Sequence, residues 1–112
     1  MILHNYLSNS GRDLIYEYIN SLPEAEKIDG YTVLQHMEKG EFDKILFKRW
    51  EKKVYEVYFQ KNSRVFYITV DKENIYLLHS CRKQKNKTEK KDANIVRKRA
   101  KELGNMLGRK FI

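Results

Sequence analysis

Leu14, Ile15, Tyr18, Ile19 and Leu22 recur at the three- and four-residue spacing of one helical face, with Asp13 and Glu17 early in the segment, where the helix dipole favours them. They predict a first helix that Pro23 closes. Pro23 also suits the first turn of a second helix, with Glu24 and Glu26 near its start, Ile28, Tyr31, Leu34 and Met37 along it, and Gly40 as its stop. On propensity alone, Gly30 weakens that helix by about 1 kcal/mol relative to alanine. Residues 1–7 favour a short strand, and Ser8-Asn9-Ser10-Gly11 is turn chemistry able to cap the first helix.

Residues 41–53 mix charged and apolar side chains without a period, and predict a connector with room for a short strand around 45–47 and with Trp50 covering a core edge. Three segments rich in Val, Ile, Tyr and Phe follow at 54–59, 64–70 and 75–81. Gln60-Lys61-Asn62-Ser63 and Asp71-Lys72-Glu73-Asn74 separate them, each of hairpin-loop length, so an antiparallel meander is expected. Thr88 is placed to cap a last helix whose Ala93, Val96, Ala100, Leu103 and Leu107 form one apolar stripe. The order strand, two helices, three strands, helix describes a single α+β domain over residues 1–112, with helices packed on a mostly antiparallel sheet.

Charge changes the picture. The chain carries a net +8, yet residues 1–43 hold 3 Lys/Arg against 8 Asp/Glu, while residues 44–112 hold 20 against 7. The positive field therefore belongs to the C-terminal part, and a polyanion is the expected partner. Nucleic acid fits better than membrane, because no apolar run approaches the roughly 18 residues of a spanning helix and the basic segments lack clustered Trp, Phe or Leu opposite the charge. The first residues show neither a basic start nor a small-residue cleavage site, which leads us to expect a cytoplasmic protein. Cys81 is the single cysteine and reads as a small buried hydrophobe near a strand end.

Glu56 stands mid-strand among Val, Tyr and Phe; alternation groups it with Val54 and Tyr58, and leaves Tyr55, Val57 and Phe59 as the core-facing set. By itself such a residue is an ordinary solvated carboxylate. Its company points further. Arg64 opens the next strand, and Arg82 and Lys83 close the third at the head of a run, 82–91, with six Lys/Arg and one Glu. Hairpin register decides whether Arg64 or Tyr67 faces Glu56, since a one-residue slip exchanges them. A carboxylate, a phenol and cations on one surface suit metal-free RNA cleavage: a base takes the ribose 2′-OH proton, cations stabilise charge on the phosphate, and an acid serves the leaving 5′-oxygen. Glu56, Arg64 and Lys83 are the candidate catalytic residues, with Glu56 as base and Arg64 as phosphate clamp. Lys52, Lys53, Tyr58, Tyr67, Arg82, Lys85, Lys87 and Lys90 are candidates for RNA binding. His79 alternates with Leu77 and Cys81 and reads as a satisfied core or edge histidine. His4, His36 and His79 fall on separate elements without Cys or Asp partners at ligand spacing, so no metal and no small-molecule cofactor are expected.

Several of these segments resemble the HigB-like branch of the RelE/ParE toxin superfamily. The family's Leu-Tyr-Glu-Leu-Arg is similar to Val54-Tyr55-Glu56-Val57-Tyr58, its Tyr-Arg-Val-Phe-Tyr to Ser63-Arg64-Val65-Phe66-Tyr67, and its Leu-Leu-His-Gly-Phe to Leu77-Leu78-His79-Ser80-Cys81. A Lys-rich segment ending Lys-Thr-Pro resembles Lys83 to Thr88, with Glu89 in place of Pro. The resemblance implies a RelE-like fold and a type II toxin that cuts mRNA on the ribosome, restrained by a helix-turn-helix antitoxin. It carries phosphate or catalytic roles onto Glu56, Arg64 and the 83–87 loop. Tyr58 departs from the pattern, where the family commonly has Arg. An inactive homologue that binds nucleic acid or antitoxin, and a ParE-like gyrase inhibitor, stand as the alternatives. On this reading Arg64→Ala and Lys83→Ala each abolish growth arrest in a protein that still folds.

Overall fold

The computed structural model describes residues 1–60, 62–83 and 88–112. In chain order it contains β1 (Ile2–Asn5), α1 (Leu14–Asn20), α2 (Glu24–Glu38), a 3-10 turn (Phe42–Lys44), β2 (Leu46–Glu51), β3 (Val54–Phe59), β4 (Ser63–Thr69), β5 (Asn74–Arg82) and α3 (Lys90–Leu107). The sheet has five strands in the order β1-β5-β4-β3-β2. The expected α+β domain and meander are present, and the sheet is mixed rather than only antiparallel, because β1 pairs parallel to β5. Among the described residues, no helix is long and apolar enough to cross a membrane.

Helix ends differ from the sequence reading in instructive ways. Asp13, not the preceding serines, caps α1 by accepting from the Tyr16 amide at 2.8 Å. Glu89, not Thr88, holds the N-cap position of α3, without a side-chain cap bond. The short strand expected around 45–47 is longer and shifted, running over Leu46–Glu51 as β2. Its side chains from Leu46 to Arg49 are exposed and only Trp50 and Glu51 are partly covered, so an edge strand with two wet faces leaves no alternation to read.

Both sheet faces are covered. Ile15, Ile19, Val33 and Met37 of α1 and α2 pack on Val57, Phe59, Val65, Tyr67 and Leu77. On the reverse, Val96, Ala100 and Leu103 of α3 pack with Val54, Phe66, Ile68 and Leu78. Val54, Glu56 and Tyr58 therefore point toward the α3 side, and Glu56 is 1% exposed rather than solvated. A bulge breaks the alternation of β5: Phe66 pairs with His79 but Tyr67 with Leu77, leaving Leu78 as the extra residue. That extra residue turns His79 and Cys81 to the α3 side, away from the face of Leu77 with which alternation had grouped them.

Gly30 marks the closest approach of α2 to the sheet. A Cβ there would lie 2.9 Å from a ring carbon of Phe59 and 3.2 Å from the Ile19 side chain. Helix propensity alone predicts that Gly30→Leu stabilises the protein. Overpacking against a buried ring opposes it and wins, so we expect a loss of about 1–3 kcal/mol in chemical denaturation.

Candidate nucleic-acid interface

Register settles what alternation left open. Glu56 pairs with Phe66 and Tyr58 with Arg64, so Arg64 shares the α3-side face with Glu56 while Tyr67, opposite Tyr55, faces the α1/α2 core. Arg64 Nη1 donates to Glu56 Oε1 at 3.1 Å, and both side chains are buried. The Tyr58 hydroxyl donates to the same carboxylate oxygen from a half-buried position nearer solvent. Burial, and then the neighbouring Glu56 carboxylate, push the Tyr58 pKa upward, so its phenol stays protonated at neutral pH.

Two ammonium groups flank that phenol. Lys83 Nζ lies 5.1 Å and Lys48 Nζ 5.7 Å from the Tyr58 ring centroid, within cation–π range. Lys83 reaches this position because its backbone amide extends the β4–β5 ladder to the Asn62 carbonyl. Lys48 does so because it sits opposite Glu56 on β2. Recognising β2 as antiparallel to β3 is the step that would have found Lys48 in the sequence. The result is a graded column: an ion pair beneath, a phenol above it, and two cations at the rim.

Other candidates lie elsewhere. Lys52 and Lys53 occupy the β2–β3 turn, with Lys52 at φ 53°, some four strand residues or about 13 Å from the Tyr58 end of β3. Tyr67 is 2% exposed on the reverse face, which removes it from the Glu56 surface. Arg82 points to the α2 side, where it pairs with Glu26 at 3.4 Å. Lys90 is exposed at the first residue of α3. Lys85 and Lys87 lie outside the described residues. Arg64, 2% exposed and committed to Glu56, is a support beneath the surface rather than a phosphate clamp on it.

Behind the column stands a second polar group. His79 Nε2 is 2.8 Å from Asp92 Oδ1, and Arg99 Nη1 is 3.3 Å from His79 Nδ1 while also donating to the Leu78 carbonyl at 2.9 Å. Arg99 can only donate, so Nδ1 accepts and Nε2–H donates to Asp92. Ligand atoms of His79, Cys81 and Asp92 lie within 4.8 Å of one another, correcting the expectation that His79 lacks Cys and Asp partners. The set does not suit a cation. Both imidazole nitrogens are engaged, the Arg99 guanidinium stands beside the ring, and burial pushes the Cys81 thiol up to about 11. Its evident role is to fasten the start of α3 to β5.

Two outcomes follow. Arg64→Ala leaves Glu56 buried without its partner and is expected to cost about 3–5 kcal/mol in urea denaturation, contrary to the expectation that this variant folds normally. Burial lowers the His79 pKa below its ordinary value, more than Asp92 raises it. Between the lowered value and the ordinary one, about 6.5, the unfolded chain binds more protons, so stability is present above pH 6.5 and falls on acidification through that window. In His79→Gln, denaturation midpoints measured across the window should be flatter with pH.

Residues 17–101 match the model of the family described as Phage derived protein Gp49-like (DUF891). A search of curated proteins found no match.

Proposed function

We propose a specific chemistry for this chain, which belongs to the Gp49-like family of phage-derived proteins, a family within the RelE/HigB-like toxin group. We read it as the toxin of a type II toxin–antitoxin pair, an endoribonuclease that cuts mRNA on the ribosome without a metal and is held in check by a helix-turn-helix antitoxin. The observation that carries the reading is the convergence of Glu56, Tyr58, Lys48 and Lys83 over the buried Arg64.

The column supports a proton path. The ribose 2′-oxygen attacks the adjacent phosphorus as its proton passes to the Tyr58 oxygen and the Tyr58 proton passes to Glu56. The P–O5′ bond breaks, leaving a 2′,3′-cyclic phosphate, and the 5′-oxygen takes a proton from the Lys83 ammonium. Lys48 and Lys83 offset the charge that grows on the phosphate. Arg64 holds the Glu56 carboxylate aimed at Tyr58. The path runs through a phenol at the position where the family commonly places an arginine, so the base acts through a relay. The basic surface would also dock on ribosomal RNA, whose phosphates need only complementary charge.

A second reading, a catalytically weak homologue that binds RNA or antitoxin, draws on that same substitution and on the burial of Arg64. Induced expression followed by mapping of mRNA 5′ ends separates the two. Cleavage within translated codons supports the endonuclease; binding without growth arrest or new 5′ ends supports the weaker homologue. Lys83→Ala should lower the cleavage rate by about 100- to 1,000-fold while leaving the melting temperature unchanged. Undiminished cleavage by that variant would remove Lys83 from the site.

A further inference from the structure

A second cleft lies at the far end of the sheet, on the α1/α2 side. It encloses about 470 Å³ and is lined by Phe42, Phe47, Tyr55, Tyr67, Lys53 and Arg109, among others. The rings form a continuous wall: Phe42 to Phe47 is 5.7 Å between centroids, Phe42 to Tyr67 6.3 Å, Tyr55 to Tyr67 6.0 Å and Phe47 to Tyr55 6.3 Å. Phe47 is 44% exposed although it sits on a sheet edge beside two other rings. Tyr67 is 2% exposed by contrast and lines the cleft.

The rim is cationic. Lys53 and Arg109 both line the cleft, and Arg109 is exposed, with its guanidinium 5.0 Å from the Phe111 ring centroid and one N–H donating to the Val70 carbonyl at 2.7 Å.

We propose that this cleft binds a nucleotide, its base against the aromatic wall with a ring heteroatom on the Tyr67 hydroxyl and its phosphate between Lys53 and Arg109. The volume suits a mononucleotide, and stacking on several rings tolerates any base. An acidic peptide satisfies the cations, but an aliphatic side chain entering with it does not stack on the rings. The nucleotide has two sources, free in solution or as one unit of a longer RNA strand. Lys53 and Tyr67, grouped with RNA binding on sequence alone, meet here rather than beside Glu56. The site stands apart from the cleavage reading: it needs neither Glu56 nor Lys83, and binding is read without ribosomes.

The test is a titration of the purified protein with adenosine 5′-monophosphate, adenosine, inorganic phosphate and a short adenine oligoribonucleotide, following the ring resonances of Tyr55 and Tyr67 by NMR. We expect saturable shifts with the monophosphate, weakened about tenfold by Lys53→Gln while adenosine binding is unaltered. Phe47→Ala should weaken both, and Lys83→Ala neither. Equal affinity for monophosphate and oligonucleotide assigns the cleft to free nucleotides; tighter oligonucleotide binding assigns it to an RNA strand. Absence of shifts at millimolar monophosphate, inorganic phosphate binding as tightly as the nucleotide, or full displacement by an acidic peptide without aromatic residues overturns the proposal.

Discussion

Glu56 and Arg64 are two charges taken out of water between a sheet and a helix, and such a pair is tolerable only while both partners stay in contact. At 1% and 2% exposure neither can be solvated instead. The pair therefore constrains its neighbours: β3 and β4 must keep the register that sets Tyr58 opposite Arg64, and α3 must stay on the sheet to exclude water. Tyr58 is the only group of this set to emerge toward solvent, and it does so tethered to Glu56. A hydrophobic pair of similar volume would often be as stable or more so, which points to a role for this ion pair beyond holding the fold.

The charge asymmetry of the chain acquires a location on the same grounds. The acidic N-terminal portion builds α1 and α2 on one sheet face, whereas the basic remainder supplies β2, the rim of the Tyr58 column and α3. Arg99 and Asp92 of α3 grip His79 from both sides, so the element covering the buried ion pair is itself fastened by a polar clasp. Membership of the Gp49-like family gives the positive surface a context in toxin–antitoxin pairs, where an antitoxin is the expected partner.

Much of the architecture was legible because periodicity and burial coincide where one face is dry. The stripes of α1 and α3, the three central strands and both hairpins follow from that rule. It fails for β2, which is wet on both sides, and for His79, which a single bulged residue turns to the other face. In the site, residue types identified Glu56, Arg64, Tyr58 and Lys83 as a group, but depth was invisible. Nothing in the residues 54–59 says that a helix 90–107 will bury Glu56, so Arg64 read as a surface clamp. Lys48 lies just beyond the strand expected at 45–47, and Lys53 and Tyr67 stand away from the Glu56 surface because turns and registers, not residue identities, place them.

The most direct measurement is a double-mutant cycle in unfolding free energy over Glu56→Leu, Arg64→Met and the two combined. A buried pair predicts that each single variant is strongly destabilised and the combined variant recovers most of the loss, a coupling of at least about 1 kcal/mol. Additive losses, with no recovery in the combined variant, would contradict a buried Glu56–Arg64 pair and with it the column built on top of it.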